Sequence, residues 1–137
     1  HEAHGPMDLR PLLNRHASAR VTVSPPAEPA RLPAAAAEEL AAAAGAALDN
    51  VRRHAPEARA WVLLEAEPGG VTVTVRDDGP GIPDGRLEQA AAEGRLGVAR
   101  SIQGRLRDLG GTAVVLSTPG EGTEVELRLP VNTVPLP

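Results

Sequence analysis

A chain of 137 residues with a formal net charge of −4 reads as one domain, large enough to bury a hydrophobic core without cross-links. Cysteine is absent, which excludes disulfides, thiolate catalysis and Cys-ligated zinc. All 14 basic residues are arginine, so a lysine Schiff base and a P-loop lysine are excluded. There is no Phe or Tyr and a single Trp, and with the acidic balance this argues against a nucleic-acid-binding surface. No apolar run approaches the roughly 18 residues of a membrane span, and no secretory signal is visible.

Residues 1–6 precede the only methionine, Met7, and read as a tag remnant. A short helix is expected around residues 9–13. Residues 20–24 alternate and are β-branched, which predicts a strand, and Pro25, Pro26 and Pro29 stop it. Pro33 opens an alanine-rich helix from residue 34 to about 55, with Leu40, Ala44, Ala47, Leu48 and Val51 as its apolar stripe. Two strands, 61–65 and 71–75, flank a turn at Pro68-Gly69-Gly70. Residues 84–95 read as a polar loop with one helical stretch. A helix is predicted over 97–109, ending at Gly110-Gly111. Strands 112–117 and 123–129 flank a hairpin turn at residues 119–122, and 131–137 form a frayed tail. Residues 7–130 are thus the expected domain. Its element order predicts an α/β two-layer sandwich, a mixed and mostly antiparallel sheet with helices on one face.

Four short constellations carry chemistry. On the first long helix, Ala46, Asp49, Asn50, Arg53 and His54 are spaced three and four apart and share a face. Asn50 offers a carbonyl oxygen to a hard cation such as Mg²⁺, and Arg53 offers a fork to phosphate oxygens. The plain alternative is a solvated face with an Asp49–Arg53 pair. Next, Asp77-Asp78-Gly79-Pro80-Gly81-Ile82-Pro83 follows a strand directly. A carboxylate there accepts from an exocyclic amine, and the glycines let backbone approach a flat ring. The plain alternative is an Asp-Gly turn. Third, Gly94-Arg95-Leu96-Gly97-Val98 is read as a helix start, whose N–H groups favour an anion. Fourth is Gly120-Glu121-Gly122-Thr123.

In this order and spacing the motifs resemble the N box, G1 box, G2 box and final G-x-G-T of the ATPase domain of bacterial two-component sensor histidine kinases. That domain has the Bergerat, or GHKL, ATP-binding fold. The resemblance covers roughly residues 20–130 and is nearest to the short-lid actinobacterial kinases. It implies ATP and Mg²⁺ as cofactors. Asn50 would bind Mg²⁺. Arg53 and His54 would reach the phosphates. Asp77 would accept the adenine amine, with Gly81 under the ring and Thr123 supporting the base through a water. Gly79, Ile82, Arg95 and Leu96 complete the implied ATP-binding set. Residues 84–95 would form a short lid, with the Gly97 and Val98 N–H groups on phosphate.

The sequence departs from the family where a Glu usually precedes the Asn by four positions; here that place is Ala46. Asp49 is the candidate catalytic substitute. The resemblance further implies a cytoplasmic domain, monomeric when isolated, whose partners are a dimerisation domain carrying the phosphoacceptor histidine and a downstream response regulator. Neither His16 nor His54 is expected to be that acceptor, so the fragment would supply only the nucleotide half of a histidine kinase. Alternatives are an anti-sigma serine kinase of the same fold, an ATP-sensing domain without catalysis, and a domain with no nucleotide site.

Overall fold

A computed structural model describes residues 6–81 and 89–130, the side chains of 89–95 excepted. Among the described residues the elements are β1 (Met7–Asp8), α1 (Leu9–Asn14), β2 (Val21–Ser24), β3 (Arg31–Leu32), α2 (Ala34–His54), β4 (Ala60–Glu67), β5 (Gly70–Asp77), α3 (Gln89–Asp108), β6 (Thr112–Thr118) and β7 (Gly122–Pro130). Five strands form one sheet in the order β2-β4-β5-β7-β6. Three of its pairings are antiparallel, and β2–β4 is parallel, with α2 in the crossover that a parallel pair requires. α2 packs against α1, α3 and the sheet, and α3 packs against β6 and β7. The result is the expected two-layer α/β sandwich.

Periodicity explains the core. All five stripe residues of α2 are buried. On β4, Ala60, Val62 and Leu64 point inward, while Trp61 and Leu63 are exposed on the bare face of the sheet. On β5 the same two-residue period buries Val71, Val73 and Val75, and continuing it places Asp77 on the inner face at 3% exposure.

Three local features differ from the sequence-based reading. First, α3 starts at Gln89 rather than at Gly97. The run Ala90-Ala91-Ala92 has high helix propensity, and the helix absorbs Gly94 and Gly97 at about 1 kcal/mol each. Second, Pro33 is the N-cap of α2, not its first helical residue. Third, β1 and β3 form a separate two-stranded ladder, Met7 opposite Leu32 and Asp8 opposite Arg31, too short to carry a periodic signal. The expected helix stop at Gly110-Gly111 is present: Gly110 N–H donates to the Arg107 carbonyl at 2.9 Å and Gly111 N–H to that of Leu106 at 2.7 Å, the paired bonds of a Schellman cap.

The N-terminal segment belongs to this core. Leu9 and Leu13 of α1 are fully buried, and Asp8 caps α1 by accepting from the Arg10 amide at 3.1 Å. Burial pushes the Asp8 carboxyl up, but hydrogen bonds from the Arg10 and Ala30 amides and the adjacent Arg10 guanidinium outweigh it and hold it below its ordinary value. His16 lies over Gly45 of α2, its Nε2 3.1 Å from the Ala41 carbonyl oxygen, where any larger residue than glycine would collide with the ring. Among the described residues no helix is long and apolar enough to cross a membrane.

Candidate functional site

Between the two layers, a cavity of about 20 Å³ is walled by α2, α3 and the inner face of β5, β6 and β7. Ala47, Asn50 and Val51 face it from α2, and Val98, Ala99 and Ile102 face it from α3. Val75, Asp77, Val115, Thr123 and Val125 face it from the sheet. It is an apolar slot with three polar groups at chosen points, the usual construction of a small-molecule site. Its volume holds about one water.

Each polar group arrives by a different route. Asp77 ends β5, and its Oδ1 accepts from the Gly79 amide at 2.9 Å, a local turn that orients the carboxylate. Thr123 is the second residue of β7, and its Oγ1 lies 3.2 Å from the Ser117 Oγ on β6. Asn50 projects from the last two turns of α2. Its Oδ1 is buried and has no hydrogen-bond partner among the described residues. A buried acceptor left without any partner costs about 1–3 kcal/mol.

The remaining expected site residues are distributed more widely. Gly79 and Gly81 are buried in the loop after β5. Arg53 is exposed near the end of α2. His54 does not line the cavity; it faces a second, open cleft of about 540 Å³ with Pro56, Asp78, Gly79 and Gly120. Val98 lines the cavity, whereas Leu96 and Gly97 are exposed. Because α3 starts at Gln89, Gly97 and Val98 sit inside a helix, where backbone N–H groups are spent on the preceding turn; the helix start expected there is corrected. Ile82 and the Arg95 side chain lie outside the described residues, as do residues 84–88 of the expected lid.

Asp49 is placed away from the cavity. It is exposed and pairs with Arg52 at 2.5 Å, where the solvated-face alternative had paired it with Arg53. Ala46 is half-buried against the core. Asp77 is therefore the only carboxylate lining the cavity among the described residues. Sequence reasoning missed Ser117 and the apolar walls Val75, Ile102 and Val125 as site residues, although three of them lie on predicted strands, whose two-residue period is the signal that marks an inward face.

An apolar slot between helices and a mixed sheet, with a strand-end Asp and a helix Asn on its wall, is the candidate small-molecule site of this α/β sandwich. The chain belongs to the histidine kinase-, DNA gyrase B-, and HSP90-like ATPase family, whose profile matches residues 35–133. Similar curated proteins include the sensor histidine kinase LiaS of Bacillus subtilis, 32% identical over 85 residues, covering 62% of this chain and 22% of that protein. The sensor histidine kinase NarS of Mycobacterium tuberculosis is 36% identical over 85 residues, covering 62% of this chain and 20% of that protein. The matches thus cover about a fifth of those relatives. Among solved structures, the ATP binding domain of PrrB from Mycobacterium tuberculosis superposes with a TM-score of 0.63 at 24% identity, over 96% of this chain and 100% of that one. The Acinetobacter baumannii histidine kinase AdeS gives 0.65 at 12% identity, over 93% and 67%. These structures share the fold.

Proposed function

We propose that this domain binds ATP with Mg²⁺ and is the catalytic half of a sensor histidine kinase, presenting the γ-phosphate to a histidine on a separate dimerisation domain. One observation carries the reading: the buried Asn50 Oδ1, without a hydrogen-bond partner among the described residues, faces the same cavity as the Asp77 carboxylate. A carbonyl oxygen suits a hard cation, and a carboxylate suits an exocyclic amine.

Bound ATP would supply the phosphoryl group, with Mg²⁺ neutralising charge on its phosphates. Asp77 accepts the adenine amine, and its bond from Gly79 pre-orients it. Thr123 supports the base through its hydroxyl. The valine and isoleucine walls hold the ring and exclude water. Gly79 and Gly81 form the ring-side loop, and the family resemblance would add Ile82 to it. Arg53 reaches the phosphates from the end of α2, with His54 beyond it, and Leu96, Gly97 and Val98 of α3 lie on the other side, where the family resemblance would add Arg95. No cavity-lining carboxylate other than Asp77 is available among the described residues to activate a nucleophile. In this reading the domain positions the nucleotide and neutralises its charge, and by likeness to the family the acceptor comes from a partner domain. By likeness to the family, the parent acts on a response regulator and this domain sits in the cytoplasm.

Calorimetric titration of the chain with ATP, with and without Mg²⁺, tests the reading. Saturable one-to-one binding is expected, weakened about tenfold or more in Asp77→Asn, the loss of one charge-assisted hydrogen bond. Binding indifferent to Asp77 would overturn the adenine assignment, and no binding would overturn the function.

A further inference from the structure

The proposed function leaves one glycine pair without a task, Gly120 and Gly122 in the β6–β7 turn. This turn is fastened to the loop that follows β5. The Gly120 N–H donates to the Pro80 carbonyl at 2.6 Å. Gly122 has a φ of 92°, and a Cβ on it would overlap the Asp77 carbonyl oxygen and lie 3.3 Å from the Asp78 Cα. From the loop side, Gly81 has a φ of 77°, and a Cβ there would lie 2.6 Å from the Thr118 carbonyl oxygen. Backbone thus meets backbone at three points, two of them closed to any residue with a side chain. The opposite flank of the loop is also filled, because a Cβ on Gly79 would come 2.8 Å from the Ala55 Cβ.

The consequence falls on Asp77. Its side-chain oxygen accepts from the Gly79 amide inside this same loop. The direction of the carboxylate therefore depends on the path from 77 to 81, and that path depends on the hairpin. We infer that Gly120 and Gly122 are positioning residues of the nucleotide site: the β6–β7 turn is a template that aims the Asp77 carboxylate and so sets the preference for a base carrying an amine. The inference rests on the ATP reading above. It adds a specificity determinant outside the residues that touch the base.

The test is a double-mutant cycle between Gly122→Ala and Asp77→Asn, read by the affinities of ATP and of purine riboside triphosphate, which lacks the 6-amino group. Wild type should prefer ATP. Gly122→Ala should bind ATP roughly tenfold more weakly, lose the preference, and add nothing in the Asp77→Asn background. Gly69→Ala, in open space at the β4–β5 turn, is the neutral control. A folded Gly122→Ala chain that keeps its preference, or whose loss is additive with Asp77→Asn, overturns the inference.

Amide hydrogen exchange gives a second readout that needs no nucleotide. Protection at Gly79 and Gly120 should fall in Gly122→Ala while Val73 and Leu127 in the sheet keep theirs. Retained protection at Gly79 and Gly120, or loss throughout the sheet, counts against the template. Wild type that binds neither nucleotide overturns the ATP reading and, with it, the specificity role. Gly81→Ala carries the same measurements from the loop side if Gly122→Ala does not fold, and failure of both to fold would make the contact a folding element only.

Discussion

Asn50 and Asp77 face one cavity from different layers, the amide from helix α2 and the carboxylate from the end of strand β5. The Asp77 carboxylate has an internal partner in the Gly79 amide, and the Asn50 oxygen has none among the described residues. A buried acceptor without a partner costs stability.

Replacing Asn50 by Leu should therefore leave stability unchanged or raise it by about 1 kcal/mol, because the stranded acceptor disappears. The same change should abolish the Mg²⁺-dependent part of ATP binding. Thermal unfolding with and without Mg²⁺ and ATP reads both effects: the nucleotide-induced rise in midpoint is lost while the unliganded midpoint is maintained.

Leu13→Ala should destabilise the domain by about 2–5 kcal/mol, the cost of truncating a buried leucine. Leu13 precedes residues 35–133 matched to the family, yet it is fully buried beneath α2. Urea unfolding of the full chain checks this, with an unchanged m-value showing that the denatured state is not the cause.

Asp8→Ala should cost about 1 kcal/mol at neutral pH through loss of the α1 cap. The folded-state carboxyl lies below its ordinary value. Its contribution is consequently full above the unfolded pKa, about 4, and disappears as pH falls through the folded value. The stability gap between wild type and Asp8→Ala, measured by denaturant titration at a series of pH values, should be constant from neutral pH to about 5 and shrink below 4.

Asp49→Asn should leave nucleotide turnover unchanged and alter stability by less than about 1 kcal/mol, since its ion pair with Arg52 is exposed. Ala46→Glu acts differently. It restores a carboxylate one helical turn before Asn50, on the same face of α2. Phosphate release from ATP should rise by about a hundredfold, the scale of a positioned general base. A coupled phosphate-release assay on the two variants distinguishes them, and equal behaviour would contradict the geometry.

Local pattern carried most of the fold. The α2 stripe, the β4 and β5 alternation and the Gly110-Gly111 stop are properties of neighbouring residues, and periodicity reports such neighbours directly. The start of α3 was illegible for a related reason: Gly94 and Gly97 look like an opening turn, but their cost is spread over a 20-residue helix that packs on β6 and β7. The side taken by Asp49 was ambiguous because residues 46, 49, 50 and 53 share a broad helix face, and only packing decides which part of it meets the sheet.

By itself, the sequence determined the order of the long helices and strands, the two-layer architecture, the place of Asp77 at a strand end and the family to which the motifs point. Tertiary structure decided the parallel docking of β2 beside β4, the β1–β3 ladder, the isolation of the Asn50 oxygen and the fastening of the hairpin turn to the Asp77 loop. These last features join residues distant along the chain through backbone contacts and the absence of partners. Neither leaves a local period, so they exist only once helices and strands have been brought together.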